Sequence, residues 1–263
     1  FVFLFFFNRC PGCRMGLSIF VAAFAMIALS EPPPCTDYTS LVGCTAVRLI
    51  GQHIGDGGAR ELAQALGAAT TVLEIVLYNA GIGESGARAI ASAARAHPTL
   101  EKLNLNSNQI GLGGVTAVAG AFSRPGSSIR EIQLDSCGID DAGAAQLAMM
   151  LASGPAQLRR LDLGGNVIGD KGAHSLAGGL RANHILRSLE LGGNHIGDGG
   201  AIALAGALTS HNLGLVALGL EYNRVGDSAL EHVAHALEHN RNEVDLTTDG
   251  RPPHPNPASA DEL

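Results

Sequence analysis

A block of 28 or 29 residues is written seven times in this chain. "LDLGGNVIGDKGAHSLAGGL", Leu161–Leu180, returns 28 residues later as "LELGGNHIGDGGAIALAGAL", Leu189–Leu208. The copies begin at Cys44, Val72, Leu100, Ile129, Leu158, Leu186 and Leu215. A unit this short cannot bury its own apolar face. It must stack on its neighbours, so the array shares one elongated core and its stability is a nearest-neighbour sum.

Each copy spells out two elements. Its fourth and sixth positions are apolar: Val47/Leu49, Ile75/Leu77, Leu103/Leu105, Ile132/Leu134, Leu161/Leu163, Leu189/Leu191 and Leu218/Leu220. Alternation of this kind is a strand with one face inward. An apolar residue then precedes, usually, a Gly, and next an acid (Asp56, Glu84, Asp141, Asp170, Asp198, Asp227), with Leu112 as the exception to the acid. These acids open a helical pattern, as caps or first-turn acids. Ala and Leu follow at helical spacing, as in Ala59, Leu62, Ala63 and Leu66, and the repeated Ala lets neighbouring helices approach closely. The ninth position is Asn in four copies: Asn108, Asn166, Asn194 and Asn223. A buried amide there bonds the backbone where the chain leaves the strand. Ala80 at that position predicts a looser corner in the second copy.

This frame resembles the leucine-rich repeat family, L-x-x-L-x-L-x-x-N-x-I. The period and the "IGDxGAxxLAxAL" helix are similar to the ribonuclease-inhibitor subtype, also found in NOD-like receptors and Ran GTPase-activating proteins. The resemblance covers Cys44 to Leu246, with Val244 and Leu246 as a last strand lacking its helix. It implies an α/β solenoid: a curved arc with parallel strands on the concave face and helices on the convex face. Strands stack ~4.8 Å apart and helices ~8–10 Å apart, which bends such an array with its strands inside.

In that arc the third, fifth and seventh positions face the hollow. The candidate partner-binding residues are Arg48, Glu74, Tyr78, Lys102, Asn104, Glu131, Asp135, Arg160, Asp162, Glu190 and Glu221, with Tyr222 at the edge. The set leans acidic and points to a basic protein partner, with the two tyrosines as anchors. A net charge of -7 excludes a nucleic-acid surface. Seven of the eight Phe lie in the first 24 residues and Trp is absent, so the repeat core is aliphatic. The repeats call for no cofactor, no metal and no embedding in a membrane, and the domain is expected to be monomeric alone.

Three motifs carry chemistry elsewhere. "GIGESG", Gly81–Gly86, matches a dinucleotide fingerprint, but its glycines recur in repeat phase. His235, Glu238 and His239 fit H-x-x-E-H on the outward side of the last helix, without a third ligand. Cys10 and Cys13 form a lone C-x-x-C ahead of the repeats. No nucleophile, base and oxyanion donor cluster outside the repeat phase, so a non-enzymatic scaffold is expected. The alternative is a GTPase-activating protein of the Ran type with Arg48 as its finger, against which stands the missing acidic C-terminal run. A third reading is the sensor tail of a larger receptor.

The ends differ in kind. Residues 1–34 read as a targeting segment, with an apolar run Leu17–Leu29 and small residues Ala28 and Ser30 before Glu31, as in a cleaved signal peptide. A membrane anchor and a start at Met15 remain open beside that reading. Residues 35–43 read as an N-terminal cap and 247–263 as a disordered Pro-rich tail ending Ala260-Asp261-Glu262-Leu263, one residue from a lumenal retention signal. Signal and tail together indicate the secretory pathway; without them the cytoplasm is the expectation. Cys35 and Cys44 flank the first copy and would seal it in an oxidising compartment, while reduced thiols are the simpler reading.

Overall fold

The structure, a computed structural model, describes residues 35–124, 126–153, 157–210, 214–238 and 245–247. Strands and helices alternate in the repeat phase. They are β1 (Ala46–Arg48), α1 (Gly55–Leu66), β2 (Glu74–Val76), α2 (Glu84–Ala96), β3 (Lys102–Asn104), α3 (Gly111–Phe122), β4 (Glu131–Gln133) and α4 (Asp141–Ala152). The series continues as β5 (Arg160–Asp162), α5 (Asp170–Ala182), β6 (Ser188–Glu190), α6 (Asp198–Ser210), β7 (Ala217–Gly219), α7 (Asp227–Glu238) and β8 (Asp245–Thr247).

The strands form one open parallel sheet in sequence order, each residue pairing with its repeat counterpart, as in Leu103↔Ile132 and Leu161↔Leu189. Parallel neighbours joined by right-handed crossovers put every helix on the same face. The other face is left open, and its side chains at the two outer strand positions are mostly half-buried. The core lies between sheet and helices. Every predicted inward position of the strands is buried, from Val47 and Leu49 to Leu218 and Leu220. Each such Leu contributes ~1.5–3 kcal/mol relative to exposure. Small residues bring the helices together, as foreseen: a Cβ on Gly179 of α5 would come 2.6 Å from the Ala148 carbonyl oxygen of α4.

The ninth-position amides are buried and point backwards along the array. Asn166 Nδ2 donates to the carbonyls of Leu134, Leu163 and Gly164, while its Oδ1 accepts from the N–H groups of Cys137 and Ile139, one repeat earlier. Asn108 does the same for Ala80 and Ile82. This corrects the expectation for Ala80. The second corner is braced by Asn108; the first, at Gln52–Ile54, lacks an amide because Ala80 follows it, and the third lacks one because Cys137 follows it.

The first-turn acids also act one repeat away. Asp56 Oδ1 accepts from Gly83 and Gly86 at the start of α2, Asp141 from Gly169 and Gly172, and Asp170 from Gly197 and Gly200. The third residue of these three helices, Gly86, Gly172 and Gly200, leaves room for that carboxylate, since a Cβ on Gly172 would sit 2.7 Å from Asp141 Oδ1. Leu112 cannot serve α4, and there Asp140 caps its own helix by accepting from Gly143.

At the N-terminal end Cys35 and Cys44 are joined by a disulfide, with 6.0 Å between their Cα atoms. This corrects the reduced reading. Cys35 forms a backbone bridge to Val47 at the edge of β1, which places its thiol beside Cys44. The apolar run Leu17–Leu29, Cys10 and Cys13, and the Ala260–Leu263 tail lie outside the described residues. Among the described residues no helix is long and apolar enough to cross a membrane.

Candidate functional site

The open sheet face divides into two halves with different electrostatics. On its N-terminal side the outward strand residues form an alternating ladder. Arg48 donates to Glu74 Oε2 at 2.7 Å from Nη2. Lys102 Nζ lies 3.5 Å from Glu74 and 3.6 Å from Glu131, and Arg160 Nε lies 3.7 Å from Glu131. Opposite charges on adjacent strands stabilise the sheet by a few tenths of a kcal/mol up to about 1 each. These five candidates compensate one another. Arg48 in particular spends its guanidinium on Glu74, which leaves it poorly placed as a catalytic finger. Asn104 belongs to the same network through Gln133, whose Nε2 donates to Glu131. Tyr78 stands at 43% exposure beside Ile50 at 61%, an apolar spot at the N-terminal end of the face.

On the C-terminal side the surface opens into a hollow of about 440 Å³, lined by Asp135, Arg160, Asp162, Glu190, Glu221 and Tyr222 around two glycine pairs. The pairs are Gly164-Gly165 and Gly192-Gly193, the doubled glycines of "LDLGGN" and "LELGGN". The second glycine of each pair is favoured by its backbone, and the first leaves room for a neighbouring carboxylate. A Cβ on Gly164 would meet Asp135 Oδ2 at 2.9 Å and one on Gly192 would meet Glu221 Oε1 at 2.6 Å. Gly165 and Gly193 have φ of +61° and +69°. No side chain rises from the middle of repeats five and six, so the carboxylates of repeats four to seven ring an empty floor. The glycine floor was not foreseen as part of the site. Its signal was the change from Asn106-Ser107 and Asp135-Ser136 to paired Gly at the same two positions.

Charge in this hollow is not neutralised as it is in the ladder. Burial raises the Asp162 carboxyl above the ordinary aspartate value, and repulsion from Asp135 and Glu190 adds to it. The Gly164 N–H, donating to Asp162 Oδ1 at 3.1 Å, and Arg160 pull the other way. A cationic group placed here would relieve that repulsion. At the rim Tyr222 is 63% exposed and holds φ at +57°. The equivalent position is Gly in three other copies, and a bulky side chain there costs on the order of 1 kcal/mol. The repeat turn imposes that conformation at this position in every copy, and Tyr222 places an aromatic ring there at the mouth of the hollow.

The other motifs are absorbed by the scaffold. In Gly81–Gly86 the N–H groups of Gly83 and Gly86, which would cradle a phosphate, already bond Asp56. His235 is exposed on α7, while the side chain of Glu238 and all of His239 lie outside the described residues. Among the described residues no group of three or more His, Cys, Asp and Glu is arranged to hold a metal ion. Cys137, at an Asn position, is buried, and that burial pushes its thiol up to about 12, so it is not a reactive nucleophile.

The family model described as Leucine Rich repeat matches residues 96–119, 127–148, 157–177 and 182–205. A comparison with curated protein sequences finds no match. Among solved structures, the tropomodulin C-terminal domain of Caenorhabditis elegans is 18% identical, with 59% of this chain and 92% of that one covered at a TM-score of 0.50. An internalin of Listeria monocytogenes is 16% identical, covering 85% of this chain and 60% of that one at 0.48. The actin-binding site 2 of leiomodin-1 is 20% identical, covering 64% and 79% at 0.40. At 18% identity the likeness to the tropomodulin domain concerns the fold alone.

Proposed function

This chain is a leucine-rich repeat protein, and on that premise we propose that it is a protein-interaction scaffold whose open sheet face binds a basic segment of a partner. The reading rests on one observation: a glycine-floored hollow in which Asp135, Asp162 and Glu190 face one another without a full complement of cations. A lysine or arginine of the partner enters the hollow and replaces carboxylate repulsion with ion pairs in a partly desolvated setting. Tyr222 packs against the stem of that side chain or its aromatic neighbour. Tyr78 and Ile50 supply an apolar contact at the other end of the face. The ladder from Arg48 to Arg160 is a neutral spacer that holds the face flat and adds little affinity, because its charges are already satisfied.

The test is direct. A fluorescein-labelled oligolysine peptide is titrated against the full chain and against the combined variant Asp135→Asn/Asp162→Asn/Glu190→Gln. Glu131 is left intact, since its loss would break the ladder rather than the hollow. Binding that is saturable and lost in the variant supports the reading. Equal binding by both proteins overturns it.

A further inference from the structure

The residues immediately ahead of the strands form a row of their own. Position two of the copies is Thr45, Leu73, Glu101, Arg130, Arg159, Arg187 and Val216. Backbone hydrogen bonds run straight along this row: Arg130 N–H to Glu101 O at 2.7 Å, Arg159 to Arg130 at 2.8 Å, Arg187 to Arg159 at 2.8 Å and Val216 to Arg187 at 2.8 Å. Three arginines therefore stand on successive rungs, ~4.8 Å apart. All three are exposed.

Their compensation is incomplete. Glu101 Oε1 is 3.5 Å from Arg130 Nη2. Arg187 donates to the backbone carbonyl of Gly214. Arg159 makes no ion pair among the described residues. The segments that lead into β4, β5 and β6, residues 123–130, 153–159 and 183–187, contain no Asp or Glu and add Arg124 and His184. Like charges side by side on neighbouring strands are destabilising. Helix dipoles account for Arg95 and Arg181, which stand in last helical turns, but not for three arginines at the start of strands. The repeat frame does not demand them either, since the same position holds Thr, Leu, Glu and Val elsewhere.

We propose that Arg130, Arg159 and Arg187 form a second docking surface, at the leading edge of the sheet, for an acidic segment of a partner protein that lies across the strands. Its carboxylates take one or two rungs each as charge-assisted hydrogen bonds with the guanidinium forks. The next rung is Val216, 40% exposed, which gives the segment an apolar contact after its acids and a direction along the row. That neighbour, the absence of aromatic rings on the row, and Glu131 just inside it favour a polypeptide over a phosphate polymer. The row precedes the strands, whereas the glycine floor of the acidic hollow, Gly164-Gly165 and Gly192-Gly193, follows them.

The test uses the full chain and a fluorescein-labelled hexaglutamate peptide, followed by anisotropy at low salt. Saturable binding is expected, weakening as salt rises. The variant Arg130→Gln/Arg159→Gln/Arg187→Gln should bind at least about tenfold more weakly, and Asp162→Asn as tightly as the parent. Arg159→Glu alone, which breaks no side-chain hydrogen bond or ion pair among the described residues, should show a smaller loss at an unchanged unfolding midpoint. Unchanged affinity in both arginine variants overturns the proposal. Displacement of the peptide by inorganic tripolyphosphate at lower concentration than by unlabelled hexaglutamate overturns the assignment to a carboxylate segment.

Discussion

Asp141 caps a helix that is not its own: its Oδ1 accepts the backbone N–H of Gly172, 31 residues further on, at 2.9 Å. The same carboxylate accepts from Gly169 at 2.8 Å. Helix capping, ordinarily a local matter, here couples each repeat to the next. The terms that stabilise a single helix also set the stiffness of the array.

The coupling predicts a swap. Repeat four lacks an acid behind it because Leu112 stands there, and uses Asp140 instead. Asp140→Ala should cost about 1 kcal/mol by urea unfolding. Leu112→Asp alone should change little, and the double variant should recover most of the loss. A double variant no more stable than Asp140→Ala would show that the acids are not interchangeable caps.

A second prediction concerns the amide ladder. Asn166→Ala leaves two N–H groups and three carbonyls of two repeats without their side-chain partner, and should cost ~3 kcal/mol or more. Cys137→Asn works in the opposite direction. The Cys137 thiol reaches the Leu105 carbonyl at 3.2 Å but has no strong acceptor for the third corner. An amide there should stabilise by ~1 kcal/mol. Thermal unfolding of both variants measures the two signs.

The repeat phase was legible because periodicity of 28 or 29 residues overdetermines it. Strands, helices, core and the outward-facing set all follow from that phase. The partner of each polar side chain was not legible. Asn108 and Asp56 were read as serving their own corner and their own helix, since spacing within one copy says nothing of the offset between stacked copies. The disulfide depends on where Cys35 rejoins the sheet, which no repeat position encodes. The hollow was missed for a related reason. Site residues were sought as side chains, and Gly164, Gly165, Gly192 and Gly193 act by having none.

The end seal gives a third prediction. Cys35 and Cys44 close a loop with a sequence separation of 9. Reduction should cost about 2–3 kcal/mol by chain entropy. In a nearest-neighbour array the loss falls on the first repeat. Hydrogen exchange should therefore accelerate at Val47, Arg48 and Leu49 on reduction while Leu161 and Leu163 keep their protection. A uniform increase across the chain would contradict the local picture.

His97 predicts a pH dependence. It is 7% exposed, its Nε2 makes no well-formed hydrogen bond among the described residues, and burial lowers its pKa below the ordinary histidine value, against a weaker pull from the nearby Ala69 backbone. The folded protein thus resists a proton that the unfolded chain accepts near pH ~6.5. Below that pH the unfolded state binds more protons, so stability is present above it and declines as pH falls. His97→Leu should flatten the unfolding midpoint between about pH 7 and 5 relative to the parent. An equally steep decline in the variant would assign the dependence to other groups.

Asp162 has the opposite sign, and it ties stability to binding. Its folded pKa is raised, by burial first and then by Asp135 and Glu190. Between the ordinary aspartate value and that raised value, the unfolded chain releases its proton while the folded protein keeps it. Stability therefore falls as pH rises through this window, and the cost persists at neutral pH. Asp162→Asn should raise the unfolding midpoint relative to the parent at pH ~7, and that advantage should disappear below the window. The same substitution should weaken oligolysine binding roughly tenfold, because the repulsion it removes is what a cation relieves. Binding by the parent should also release protons near the raised value, since a bound ammonium favours the carboxylate. Calorimetry in two buffers of different ionisation enthalpy reads that release. A stabilised variant with undiminished affinity would mean that the hollow is merely strained, and that the partner docks elsewhere on the face.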